Sequence, residues 1–252
     1  GSMALELDHV SFRYPGKTEL ALDDITLRIA PGEKLALVGE NGAGKSTLIK
    51  LLLRLYEPTS GSIRLGGVDL RDLDVDELRA RIGAVFQDFV RYQFTAAENV
   101  GLGEPAHLED RPAIERAAEA GGAKAVIESL PKQYDTTLGG WFEKGHELSG
   151  GQWQKLAVSR AFMRENASLL VLDEPTAAID AEAEVALFER FRALAASRSA
   201  IIISHRFSTV RMADRIAVLE GGKLRELGTH EDLLAANGRY AHLFNLQARA
   251  YQ

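Results

Sequence analysis

The 252-residue chain contains no cysteine. That excludes disulfides and any thiolate metal site, and it removes the redox clue to compartment. No apolar run approaches the roughly 18 uninterrupted residues of a membrane span. The most apolar helical stretch, Ser46 to Tyr56, is broken by Lys50 and Arg54. A basic excess is also missing: the formal net charge is −6, whereas a nucleic-acid footprint wants a basic stripe, so no nucleic-acid partner is expected. There is no internal repeat and no low-complexity tract. Gly1-Ser2 ahead of Met3 reads as a cloning scar rather than a targeting signal, which leaves room for a longer natural chain. What remains is an ordinary soluble composition, 46% hydrophobic and 26% charged. Its length allows one large domain or two small ones.

Against these absences one stretch stands out, Gly39-Glu40-Asn41-Gly42-Ala43-Gly44-Lys45-Ser46-Thr47. It has the pattern Gly-x4-Gly-Lys-[Ser/Thr]. An apolar strand-like run, Lys34 to Val38, precedes it, and Leu48, Leu51, Leu52 and Leu55 follow at helix spacing. Glycines let the backbone curl so that successive N–H groups point inward as an anion nest. The next helix starts at the same place, so its unpaired N–H groups face the same anion. Lys45 would reach the β- and γ-phosphates, and the Ser46 hydroxyl would ligate Mg²⁺. The bland alternative is a glycine-rich turn that caps a helix. The flanking strand and helix favour a nucleoside triphosphate site.

Taken in order, Leu5 to Phe12 and Leu20 to Ile29 read as alternating strands, with Tyr14-Pro15-Gly16 as a turn between them. After the Leu-rich helix, Ile63, Leu65 and Val68 mark a strand, Asp74 to Ile82 a short helix, and Gly83 to Gln87 another strand ending. From Asp88 to about Asn166 helix formers dominate, with helices over Arg111–Ala120, Lys124–Leu130 and Gly151–Arg164. This block reads as a helical insertion in an α/β core. Leu169 to Glu174, Ala200 to Ser204 and Arg215 to Leu219 are continuous apolar runs, the pattern of strands buried on both faces. Ala181 to Ala196 is amphipathic, Gly221-Gly222 is a hairpin turn, and Leu233 to Gln247 closes the chain as helix.

Three further groups bear on chemistry. Asp173-Glu174 ends an apolar strand, where one carboxylate can hold Mg²⁺ and the next can orient or deprotonate a water; an acidic helix cap is the alternative. Ser204-His205 ends the next strand, where a side chain can reach a γ-phosphate, although a histidine there is more often structural. Leu148-Ser149-Gly150-Gly151-Gln152 leads straight into a helix and makes a second helix-start anion site. One polypeptide needs only one phosphate cradle. Two chains facing head-to-tail would each complete the other's site, an isologous two-fold dimer.

With these residues in place the sequence resembles an ATP-binding cassette (ABC) ATPase, specifically the nucleotide-binding domain of an ABC transporter, from Leu5 to about Leu246. The order matches: phosphate loop, Gln87, signature Leu148 to Gln152, Asp173-Glu174, His205. The resemblance implies an α/β fold. It comprises a P-loop NTPase core with a mostly parallel sheet (1–87 and 167–252), an antiparallel β subdomain near the N-terminus and an inserted α-helical subdomain (88–166). It implies that Tyr14 stacks on adenine and that Gln87 touches Mg²⁺ and the attacking water. It likewise makes Asp173 the Mg²⁺ carboxylate, Glu174 the catalytic base and His205 the γ-phosphate switch. Ser149 and Gly151, with Gly150 and Gln152 around them, would contact the nucleotide of the opposite protomer. Ala177-Ala178-Ile179-Asp180 falls on the dimer-contact loop, usually Ser-Ala-Leu-Asp. Ala177 lacks the usual hydroxyl, while Asp180 is retained.

The aromatic run Phe89 to Phe94 would help receive a cytoplasmic helix of a membrane domain. Gly228 to Leu233 and the approach to the signature are similar to exporter cassettes, whereas Thr137-Leu138-Gly139-Gly140-Trp141 departs from the exporter loop Thr-Glu-Val-Gly-Glu. The implied partners are a second nucleotide-binding domain and the exporter's transmembrane domain, which places the chain at the cytoplasmic face of a membrane. The implied cofactors are ATP and Mg²⁺. A soluble ABC ATPase of DNA repair or translation is the competing class. Against it, about a hundred residues separate Lys45 from Ser149, too few for a long coiled-coil insertion, and there is one cassette where translation proteins carry two. A nucleotide sensor without turnover is disfavoured by Glu174 and His205.

Overall fold

The computed structural model describes residues 2–86, 89–140, 145–173, 189, 192, 195 and 198–250. They fall into two compact units, one drawn from Gly1–Ile82, Ser168–Asp173 and Ser197–Gln252, the other from Gly83–Ala167 and Glu174–Ala196. The first unit opens with β1 (Leu5–Phe12), β2 (Leu22–Ile29), β3 (Lys34–Val38), α1 (Lys45–Leu52), β4 (Ser60–Leu65), β5 (Val68–Asp69) and α2 (Val75–Ala80). A short strand, β6 (Ile82–Val85), leads into the second unit, which holds α3 (Ala96–Gly101), α4 (Arg111–Gly121), α5 (Lys124–Glu128) and α6 (Gly150–Phe162). The first unit resumes with β7 (Leu169–Asp173), β8 (Ser199–Ile203), α7 (Phe207–Val210), β9 (Arg215–Glu220), β10 (Lys223–Gly228), α8 (His230–Ala235) and α9 (Arg239–Ala250).

Two sheets build the first unit. The antiparallel one has the order β2-β1-β4-β5. Its central strand buries Leu5, Leu7, Val10 and Phe12. Leu7 and Val10 are three apart because the register slips at His9, whose φ is 49°. That bulge returns Val10 and Phe12 to the core face after the alternation has moved by one. In the other sheet β9-β3-β8-β7 run parallel and β10 lies antiparallel on β9. Leu35 to Leu37, Leu169 to Leu172 and Ala200 to Ile203 are all buried, as strands covered on both faces require. Each fully buried isoleucine or leucine contributes about 1.5–3 kcal/mol. The fold class read from the sequence is the one observed: a mostly parallel sheet, an antiparallel sheet and a helical block.

Several boundaries differ from expectation. The Leu-rich helix stops at Leu52, because the chain turns at Arg54 (φ 51°), and Leu55 is 54% exposed rather than part of the apolar stripe. Ile82 starts β6 instead of ending α2, and Val68 sits exposed after the Gly66-Gly67 turn. The closing helix is two helices, interrupted where Asn237 adopts φ 50° ahead of Gly238. The amphipathic stretch Ala181 to Ala196 lies almost entirely outside the described residues.

In the second unit α6 packs against α3 and α4. The approach is close: a Cβ on Gly121 would lie 2.2 Å from Ser159 Oγ. Trp153 is fully buried, and its Nε1 donates to Glu147 at 3.3 Å. Arg160 is half-buried among neutral acceptors. It donates to Asn99 O (2.7 Å), Asn99 Oδ1 (2.8 Å) and Val90 O (2.7 Å) and lies 4.8 Å from the Tyr92 ring centroid. Burial pulls its guanidinium down to about 10.

Candidate functional site

Strand register brings three of the expected groups to one edge. Leu37 of β3 pairs with Ile203 of β8, and Ile203 pairs with Asp173 of β7. The phosphate loop after Val38, the Ser204-His205 pair after Ile203 and the Asp173 carboxylate therefore leave the sheet at the same level. Adjacent strands are about 4.8 Å apart, so two strand spacings, about 10 Å, span them. The carboxyl end of a parallel sheet is where open α/β folds bind ligands.

At this edge α1 starts without a side-chain cap. Gly44 is its N-cap at φ 111°, no side chain accepts from the first turn, and the first turn holds no acidic residue. Side-chain caps close the starts of α2 (Asp74), α3 (Thr95), α4 (Asp110), α6 (Ser149) and α8 (Thr229), while the short helices α5 and α7 also start without one. A bare helix start carries partial positive charge on its orphan N–H groups, and a carboxylate there would compete with a bound anion. Gly44 must be glycine: a Cβ would stand 2.7 Å from Leu22 Cδ2 and 3.0 Å from Ala21 O, on top of the left-handed strain.

Lys45 is only 7% exposed. Its Nζ donates to Gly39 O at 2.5 Å and Glu40 O at 3.0 Å, so the ammonium is folded over its own loop. Neutral carbonyl acceptors can be exchanged for phosphate oxygens, which add a full opposite charge to the contact. Asn41, Gly42 and Ser46 are exposed, Ala43 is buried, and Gly42 has φ 83° with open space where a Cβ would go. Thr47 is turned inward: its Oγ1 lies 3.0 Å from Tyr14 Oη. Tyr14 is half-buried, meeting Phe12 edge-on at 4.9 Å and Tyr56 at 5.3 Å, and the Lys50 ammonium lies 5.4 Å from its ring centroid.

Asp173 is half-buried at the end of β7. Ser204 is buried and accepts the Arg206 N–H at 3.0 Å. His205 is exposed, and its backbone carbonyl accepts from Gln247 Nε2 at 2.7 Å. Gln87 and Glu174, expected at Mg²⁺ and at the attacking water, lie outside the described residues, as do Trp141 and the loop Ala177 to Asp180.

The signature, in the second unit, has another geometry. Ser149 is the N-cap of α6, its Oγ accepting the Gln152 N–H at 3.2 Å. The Gln152 carboxamide in turn accepts the Ser149 N–H at 2.9 Å. The two close a capping box. Ser149 is exposed, and Gly150, Gly151 and Gln152 are half-buried.

A family model described as ABC transporter matches residues 22–177. The chain belongs to the ABC transporter family. It is 43% identical to the subtilin transport ATP-binding protein of Bacillus subtilis over 226 residues, covering 90% of this chain and 37% of that protein. It is 42% identical over 245 residues to an ATP-dependent lipid A-core flippase of Aromatoleum aromaticum, covering 97% of this chain and 40% of the flippase. Among solved structures, a bacterial Atm1-family ABC exporter with ATP bound superposes with a TM-score of 0.90 at 36% identity, over 98% of this chain and 42% of that one. The chain thus spans about two-fifths of the length of the curated relatives it matches. Membership in this family implies that the chain binds ATP.

Mg²⁺ was expected with ATP, and the donor chemistry fits it. The ion takes hard oxygens and is typically held by one or two carboxylates plus substrate phosphates and water. Ser46 and Asp173 offer a hydroxyl and a carboxylate from the same sheet edge. No cluster of three or more His, Cys, Asp or Glu occurs among the described residues.

Some contacts of the ABC site were not legible. Arg239, at the start of α9, pairs with Glu40 of the phosphate loop and lies 3.4 Å from Glu220. Gln247 holds the backbone at His205. Tyr56 joins the Tyr14 cluster. These contacts join residues 19 to 199 positions apart, and no local motif announces them.

Proposed function

We propose that this chain is the nucleotide-binding domain of an ABC exporter. It binds and hydrolyses Mg-ATP between two head-to-tail cassettes and thereby powers export through a fused or partner transmembrane domain. Residues 1–87 and 167–252 would form its ATP-binding core and 88–166 its helical subdomain. The observation that carries the reading is the uncapped, acid-free start of α1 over buried Lys45, at the sheet edge that also presents Asp173 and His205. Relatives named as ATP-dependent flippase and multidrug export proteins support the same direction.

In this mechanism the loop N–H groups and Lys45 hold the β- and γ-phosphates, and Tyr14 packs on the adenine. Ser46, Asp173 and Gln87 would hold Mg²⁺, which supplies charge neutralisation on the phosphates when bound. Glu174 takes the proton of a water aligned with the γ-phosphate, and His205 contacts the γ-phosphate oxygens. Ser149 and Gly151 of the second copy close the site. Lys45 and the backbone donors stabilise charge that grows on the transferring phosphoryl group. The chain sits at the cytoplasmic face of the membrane through its membrane domain; no helix among the described residues is long and apolar enough to cross one.

The test is phosphate release from ATP with Mg²⁺ and with chelator. Mg²⁺-dependent turnover that is lost in His205→Ala supports the reading. No Mg²⁺-dependent turnover at any protein concentration overturns it.

A further inference from the structure

The C-terminal helix α9 crosses the candidate site and is tied to it at both ends. In its first turn Arg239 pairs with Glu40 of the phosphate loop. Two turns later, the side-chain carboxamide of Gln247 makes a paired contact with the backbone that follows β8. Its Nε2 donates to the His205 carbonyl at 2.7 Å, and its Oε1 accepts the Phe207 N–H at 2.9 Å. A carboxamide offers one donor and one acceptor side by side, the same pairing a neighbouring strand would offer. It therefore fixes the two peptide groups that flank Arg206. The contact is held in place by rings on both sides: Phe207 meets Tyr240 at 5.4 Å and Phe244 at 5.3 Å, both on α9. The fully buried Tyr240 is anchored further by His230 Nδ1, 2.7 Å from its Oη.

We propose that Gln247 is a positioning residue for hydrolysis, setting the backbone from which His205 reaches the γ-phosphate, with α9 as the strap that carries it. This rests on the proposed function, because His205 matters only if the chain turns over ATP. The geometry gives a specific reason for the residue type. Glutamate has the same length but no donor, so its carboxylate would face the His205 carbonyl, while asparagine falls one methylene short of both groups.

The test measures steady-state ATP hydrolysis for wild type, Gln247→Ala, Gln247→Glu, His205→Ala and the double variant His205→Ala with Gln247→Ala. Thermal midpoints and the imidazole NMR lines of His205 are recorded on the same samples. Misplacing a reacting group by about 1 Å can cost about 100-fold in rate, and a smaller shift less. The expected result is a kcat lowered about tenfold in Gln247→Ala and further in Gln247→Glu, with KM for ATP within about twofold of wild type and a shifted His205 line. In the His205→Ala background the Gln247 change has no further effect, since both act through one contact. A Gln247→Ala or Gln247→Glu variant with wild-type kcat and an unshifted His205 line overturns the proposal. So does a further loss in the double variant. A wild type without turnover, or His205→Ala with full turnover, overturns the proposed function instead.

Discussion

Helices α1 and α6 both begin on glycine-rich segments expected to face a phosphate, and they begin in opposite ways. The start of α1 has Gly44 as N-cap, no side-chain acceptor and no acid in its first turn. The start of α6 is closed by its own Ser149–Gln152 capping box. One helix leaves its orphan N–H groups for an anion. The other satisfies part of them from within and presents an exposed serine hydroxyl that can still donate. In the proposed reading the uncapped start of α1 suits binding, whereas the self-capped α6 is stable alone and engages a phosphate only when a second copy brings one. Under the proposed function, that division would let closure rather than binding trigger hydrolysis.

The comparison can be broken by substitutions, and the largest effect belongs to the open end. Lys45→Ala should lower ATP turnover about 100- to 1000-fold, as removing one preorganised donor to developing charge does; phosphate-release assays would show it, and a rate within tenfold of wild type would contradict the account. Next comes Gly44→Ala, which introduces both a strained φ and a clash with Leu22 and Ala21. A stability loss of about 1–3 kcal/mol is expected by denaturant titration. Ser149→Ala should cost about 1 kcal/mol of stability in the same titration through the lost cap, and lower turnover as well. Ser46→Ala gives the smallest change in fold stability, within about 0.5 kcal/mol, because the exposed Ser46 side chain caps nothing. Its turnover should still fall. If Ser149→Ala leaves stability untouched, or Ser46→Ala lowers it by as much, the contrast between the two helix starts is wrong.

Much of this was readable in the chain. Lys34 to Val38, Leu169 to Asp173 and Ala200 to Ile203 announce buried parallel strands because both faces are covered, and the phosphate loop and signature announce themselves because glycine spacing is local chemistry. Helix ends were less legible: Leu52 and Asn237 stop helices through backbone turns at Arg54 and Asn237 that composition only weakly favours. The bulge at His9, which brings Val10 to the core face, was invisible, because a one-residue register slip breaks the alternation it would be read from. Least legible were the Arg239–Glu40 and Gln247–His205 contacts, since a long-range contact leaves no periodicity in either partner. Tyr14 shows the same limit: an adenine-stacking role is expected for it, while its ring also belongs to a cluster with Phe12 and Tyr56.

The central claim is that the open cradle of one copy is completed by the latched signature of another. It is tested most directly by the ATP hydrolysis rate against protein concentration, for wild type and Glu174→Gln, with size-exclusion chromatography in ATP. The account predicts a rate rising more steeply than linearly for wild type, and for Glu174→Gln a loss of turnover with a stable ATP-bound dimer. A rate strictly proportional to concentration, with no dimer of either protein under any nucleotide condition, would contradict it.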